Sequence, residues 1–280
     1  MGLNQRLALK YVRTKFKLLS TISKRKAAEK AFMLFCTPQY RNKKKPPAIF
    51  EKAENLDFNF DKYKIQGYRW NKNAGKKILI LHGFESSIVN FDWYIKPLIN
   101  LGYCIMGFDA PAHGKSGKMF NALLYRRFIT DIDDKYGPVT NFLAHSLGGL
   151  AVCLALEEWK HNEAFKVVLV APATETTTAV NSFFKYLNLN GEVRKEFDNI
   201  ICKKTGNQPE WFSISRVAET IRARVLWLHD KDDHMTPLSD VQTIIEKKYS
   251  NFEFYITEGL GHRRIYRDNK VTKKIIEFLN

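Results

Sequence analysis

The sequence predicts an α/β architecture: a mostly parallel central sheet with helices on both faces and a short helical cap. Three observations predict it. The chain has 280 residues, 45% of them hydrophobic, enough to bury one large core or two small ones. From about residue 77 onward, short apolar segments of strand character alternate with helical ones, and strands separated by helices call for a parallel sheet. One stretch of about 50 residues interrupts this alternation. A structureless loop of that length is improbable inside a compact domain, so it is assigned to a helical cap.

Along the chain, Asp57–Trp70 alternates polar and apolar residues and predicts a strand pair. Strands are then expected at Lys77–Leu81, Tyr103–Phe108, Val139–Ala144, Phe165–Val170, Ala223–Leu228 and Phe252–Ile256. Helices are expected at Phe91–Leu101, Ala122–Tyr136, Leu147–Trp159 and Val271–Leu279. The cap occupies about 172–222 within a domain spanning 48–280, and it is rich in aromatics. Of these, Phe183, Phe184, Tyr186 and Trp211 are candidates to line a pocket for an apolar substrate; the competing expectation is that they glue the cap to the body.

Residues 1–47 form a basic helical arm. Residues 1–45 hold 13 Lys and Arg against the single acid Glu29, a charge of +12 of the chain's total +16. The remainder is nearly balanced, which argues against a nucleic-acid-binding face spread over the folded body. Helices are expected over about 3–22 and 23–36, the second ending before Thr37-Pro38. Arg41 to Pro47 is a basic connector. In the first helix, Arg6, Lys10, Arg13 and Lys17 fall on one stripe, with Ala8, Tyr11, Val12, Leu18, Leu19 and Ile22 on the other side and Lys15 interrupting them. Two roles fit: peripheral contact of residues 1–36 with anionic membrane, or packing on the domain with the charged stripe in water.

The four cysteines are widely spaced and form no C-x-x-C pair, so a reducing, cytoplasmic compartment is the simpler expectation. No apolar run approaches the roughly 20 residues that span a bilayer. No secretory signal is expected. Walker, G-x-G-x-x-G and H-E-x-x-H patterns do not occur, so no cofactor and no metal are expected.

The segment Ala144-His145-Ser146-Leu147-Gly148-Gly149 follows a strand and opens a helix. A serine projecting from so tight a turn needs small neighbours two residues before and after it. Helix N-terminal amides there face developing negative charge. A strand end at His229-Asp230-Lys231-Asp232-Asp233 offers three candidate carboxylates. Only His234 and His262 follow that strand as candidate bases, and His234 adjoins the carboxylates. The Ala144–Gly149 segment resembles the nucleophile elbow of the α/β-hydrolases, with alanine where glycine is usual. Leu81-His82-Gly83-Phe84 and Asp109-Ala110-Pro111-Ala112-His113-Gly114-Lys115-Ser116 are similar to two further markers of that family.

The resemblance covers about residues 77–262 and is closest to the esterase, monoacylglycerol-lipase and serine-aminopeptidase-like branch. It implies Ser146 as nucleophile, His262 as base and Asp233 as acid, the last because the family places it four residues before the proline, here Pro237. It also implies the backbone amides of Phe84 and Leu147 as an oxyanion hole. His82, Asp109 and His113 are expected to be architectural. The implied reaction is cleavage of a small carboxylic ester with an apolar acyl chain through an acyl-enzyme. Acyl transfer, peptide or amide cleavage, and a noncatalytic binding role on the same fold stay open. Oligomeric state is not indicated.

Overall fold

The structure is a computed structural model that describes residues 2–40, 45–61, 63–113, 121–189 and 191–280. Arg41 to Lys44 of the expected connector, and Gly114, Lys115 and Ser116 of the third marker, lie outside the described residues. The chain divides into two compact units, residues 1–37 with 175–212, and 38–174 with 213–280. The N-terminal helices therefore share a unit with the insertion, from which the sequence separates them by about 140 residues.

Among its described residues the larger unit holds ten strands: β1 (Glu54–Asn55), β2 (Phe58–Phe60), β3 (Tyr63–Ile65), β4 (Gly67–Trp70), β5 (Lys76–Leu81), β6 (Tyr103–Phe108), β7 (Asn141–His145), β8 (Lys166–Val170), β9 (Arg224–Asp230) and β10 (Phe252–Thr257). Eight form one sheet in the order β1-β4-β6-β5-β7-β8-β9-β10, parallel from β6 through β10, with the β1–β4 and β4–β6 pairings antiparallel. The segment read as one strand pair is a β2–β3 hairpin followed by β4, which leaves the hairpin and joins the main sheet. The switch falls at Gln66-Gly67. A Cβ on Gly67 would lie 2.1 Å from the Phe108 ring and 2.9 Å from the Leu56 carbonyl, so only glycine lets β4 approach there.

The central strands are apolar on both faces because both are covered. Ile78, Ile80, Tyr103, Ile105, Val168, Val170, Leu226 and Leu228 share one core with Tyr94, Ile95 and Leu98 of α3 (Asp92–Asn100) and with Val271, Ile275 and Phe278. The alternate residues, among them Leu79, Met106, Phe142, Leu169 and Trp227, are also buried and point to the opposite face. That face meets α4 (Ala122–Tyr136) and α5 (Leu147–Leu156); the rings of Phe108 and Phe128 stand 6.0 Å apart. Two short helices, α8 (Ile214–Val217) and α9 (Gln242–Glu246), and a third, α10 (Gly261–Arg264), follow in this unit. The closing helix α11 (Asn269–Leu279) begins two residues before the apolar pattern does. Asp268 caps it, accepting from the amides of Lys270 and Val271.

The smaller unit consists of α1 (Leu3–Ile22), α2 (Lys24–Phe35), α6 (Thr176–Leu187) and α7 (Gly191–Thr205). Ser23 separates the first two and caps α2 through the Lys26 amide. Ala27, Ala28 and Ala31 are fully buried, so α2 presents a small-residue face to its neighbours. Beside it Phe32, Phe35, Phe184 and Phe197 interlock, with Phe184 edge-on to Phe197 at 5.1 Å. Lys24 pairs with Glu192 at 3.0 Å.

Candidate active site

The sheet register aligns the carboxyl ends of the central strands. Leu81 is paired with Ala144, His145 with Val170, Val170 with Leu228, and Asp230 with Thr257. The loops that leave these ends carry the candidate residues, as expected for an open parallel sheet.

Ser146 links β7 to α5 with φ +54° and ψ −121°. A side-chain-bearing residue there costs on the order of 1–3 kcal/mol and persists only if its surroundings fix it. They do. The Ser146 amide donates to the Val170 carbonyl at 3.1 Å, and its carbonyl accepts from the amides of Gly149 at 2.9 Å and Ala173 at 3.0 Å. The turn also demands close approach. A Cβ on Gly148 would sit 2.7 Å from the Leu81 carbonyl oxygen, and one on Gly83 would sit 2.8 Å from the Ser146 Cβ. At the other small position, the Ala144 methyl is fully buried in the sheet core. Leu147 is the first residue of α5, so its N–H has no acceptor within the helix. Phe84 follows Gly83 in the loop beside Ser146, its ring edge-on to His113 at 5.5 Å.

His262 sits on α10, after Gly261 at φ +61°. Its Nε2 is 3.1 Å from Ser146 Oγ and its Nδ1 is 2.8 Å from Asp233 Oδ2. A carboxylate only accepts, so Nδ1–H donates to Asp233 and Nε2 is left to accept the serine proton. The structure thus brings Ser146, His262 and Asp233 together in one hydrogen-bonded line, all three buried. Burial alone would raise the Asp233 pKa. The hydrogen bonds from His262 and Thr236 outweigh it and hold the carboxyl at about 2. The donors are the amides of Met235 and Thr236, both 2.9 Å from Oδ1, and the Thr236 hydroxyl, 2.8 Å from Oδ2.

Several further residues support this line. His145 Nε2 lies 3.0 Å from the His262 carbonyl oxygen; only a protonated Nε2 can donate there. Burial depresses the His145 pKa to about 3, so the ring is neutral. Asp230 accepts from the Leu260 and Gly261 amides at 3.1 and 2.8 Å, and from the Thr257 hydroxyl at 2.6 Å. It ties the His262 loop to the end of β9. Behind Asp233, His229 Nε2 donates to the Thr236 carbonyl at 2.6 Å and its Nδ1 accepts from Trp227 Nε1 at 3.3 Å. His82 has a structural part: Nε2 accepts from the Ala110 amide at 2.9 Å, leaving Nδ1–H for the Gly83 carbonyl at 2.8 Å. Asp109 accepts from the Ile88 amide.

The candidate pocket aromatics belong to the smaller unit. Phe184 is buried against Phe197, and Phe183 stands edge-on to Phe35 at 5.2 Å. Tyr186 is half exposed, and its carbonyl accepts two bonds from Arg13. Trp211 packs on Phe212 at 5.1 Å. In these contacts the rings hold the unit's own elements together.

The sequence pattern of the family described as serine aminopeptidase, S33, matches residues 72–203. The uncharacterized protein YqkD of Bacillus subtilis is 24% identical over 249 residues, covering 82% of this chain and 81% of that protein. Among solved structures, the Pyrococcus furiosus esterase Pf2001 superposes with a TM-score of 0.63 at 19% identity, covering 87% of this chain and 95% of that one. Est1E from Butyrivibrio proteoclasticus, solved with ferulic acid bound, gives 0.59 at 19% identity, with 80% and 97% covered. With its sheet order and its strand-to-helix serine turn, the chain has the α/β-hydrolase fold.

Proposed function

We propose that the protein is a serine hydrolase that cleaves an uncharged carboxylic ester through an acyl-enzyme. The observation that carries this is the continuous line from Ser146 Oγ through His262 to Asp233, at 3.1 and 2.8 Å. In the proposed reaction Ser146 Oγ attacks the ester carbonyl while His262 Nε2 takes its proton. Asp233, ionised at any physiological pH, stabilises the resulting imidazolium. The amides of Leu147 and Phe84 receive the oxyanion; one such donor is typically worth about 3–4 kcal/mol. The imidazolium then protonates the departing alcohol, and water, activated by the same imidazole, releases the acid and restores Ser146. Each step uses groups of this chain alone.

The S33 likeness favours a second reading, hydrolysis of an N-terminal aminoacyl amide by the same residues. Turnover of p-nitrophenyl butyrate against an aminoacyl p-nitroanilide separates the two. The ester is expected to react and Ser146→Ala to lower kcat by about 10⁴-fold or more. Turnover of neither substrate by the wild type, or equal turnover by Ser146→Ala, would overturn the proposal.

A further inference from the structure

We propose that the outer face of α1 is a docking surface for an anionic lipid bilayer. Four large apolar side chains of this helix stand in solvent: Leu7 is 58% exposed, Tyr11 68%, Leu18 62% and Ile22 80%. Single exposed apolar residues are ordinary on a protein surface. These four are spaced by four, seven and four residues. At 100° per residue they fall within about 60° of arc, along a stripe about 22 Å long. The stripe is not the face by which α1 packs in its own unit. Phe16 and Ser20 are buried and Val12 and Leu19 partly so, and these lie on other sides of the helix. The apolar residues of α1 therefore serve two faces, one covered and one bare.

Charge selects the occupant. Lys15 borders the stripe on one edge and Lys10 and Lys17 on the other. All three are exposed, and none forms an ion pair with a described residue. The helix contains no acidic residue. A second copy of α1 laid on this face would oppose lysines to lysines. A nucleic acid would use the cations and leave the apolar stripe in water. A bilayer bearing anionic headgroups accepts both: apolar side chains enter the headgroup–acyl boundary and lysines meet phosphates and carboxylates. Attachment would be peripheral, since among the described residues no helix is long and apolar enough to cross a membrane. The inference rests on α1 alone and is independent of the hydrolase reading.

The test is sedimentation of the full-length protein with vesicles of phosphatidylcholine alone or mixed with phosphatidylserine. Expected is partitioning onto the mixed vesicles that weakens with added salt, and little onto phosphatidylcholine. Each surface cation contributes roughly fivefold to partitioning. The triple variant Lys10→Glu, Lys15→Glu, Lys17→Glu should therefore lose binding by at least about 100-fold. The double variant Leu18→Ser, Ile22→Ser should lose it by about tenfold or more. These positions are exposed, so thermal unfolding and hydrolysis of a short soluble ester should match the wild type. Wild type remaining in solution with mixed vesicles would overturn the proposal, as would undiminished binding by both variants. A self-associated wild type that fails to bind vesicles, and that Leu18→Ser, Ile22→Ser makes monomeric, would assign the face to a second copy instead.

Discussion

Two residues separate Asp230 from Asp233, and each carboxylate has its own set of partners. Asp233 meets His262 Nδ1 and the Thr236 hydroxyl. Asp230 is filled by the amides of Asp232, Leu260 and Gly261 and by the Thr257 hydroxyl. Burial works against its ionisation, yet these bonds leave its pKa below the usual value. The two should therefore fail differently when substituted. Asp233→Asn offers an amide where His262 needs an acceptor and should lower kcat on p-nitrophenyl butyrate by about 10⁴-fold. Asp230→Asn removes one oxygen that accepts from buried amides. It should lower unfolding free energy by about 1–3 kcal/mol and reduce kcat by far less. Steady-state kinetics and denaturant unfolding of both variants check this; equal kinetic losses would contradict the assignment. Family spacing picks out Asp233 because that spacing is local, four residues to Pro237. The bonds that tie Asp230 to Thr257, Leu260 and Gly261 were not legible, because these partners lie about 30 residues downstream. His145 escaped for the same reason: its acceptor is the carbonyl of a residue 117 positions away.

At the scale of elements, the strands that frame the site could be read from their apolar runs, because a strand covered on both faces has little room for polar residues. The arm was less legible. Its 3.6-residue period announces a helix, but not which of two apolar faces finds a partner, nor that the partner is the distant α6–α7 segment. Val12 and Leu19 are partly buried while Tyr11 and Leu18, their neighbours in sequence, stand in solvent. The aromatics of the insertion posed the same problem: ring content marks burial but does not say whether a ligand or another ring is the neighbour. In α2, Ala27, Ala28 and Ala31 have no exposed surface, so the helix has no room there for a larger side chain. Ala31→Leu should overpack this face and cost about 1–3 kcal/mol. Hydrogen exchange should localise the loss, with faster exchange in α2 and α7 and unchanged protection in β7 and β8. Unchanged protection in α2 and α7 would contradict this packing.

For the molecule as a whole, buried titratable groups set the response to acid. Burial lowers the pKa of His82 to about 4 and of His145 to about 3, and it also lowers that of His229. In the unfolded chain these rings titrate near the ordinary value of about 6.5. Below that pH the unfolded state binds protons that the folded state refuses, so stability falls as pH drops toward the folded values. Each ring can steepen the slope by up to about 1.4 kcal/mol per pH unit. Asp233 acts in a separate window: its contribution is present above its unfolded pKa of about 3.9 and is lost as pH falls toward about 2. Urea unfolding between about pH 7 and pH 4.5 should show the histidine slope; a flat profile would contradict these rings being neutral and buried. The same burial that keeps the supporting histidines neutral holds the Ser146 hydroxyl against the His262 ring. Reaction of the wild-type protein with a fluorophosphonate, followed by intact mass and peptide mapping, tests that arrangement most directly. The account predicts a single adduct, carried by Ser146 and absent from His262→Ala on the same timescale; no adduct, or one on another residue, would contradict it.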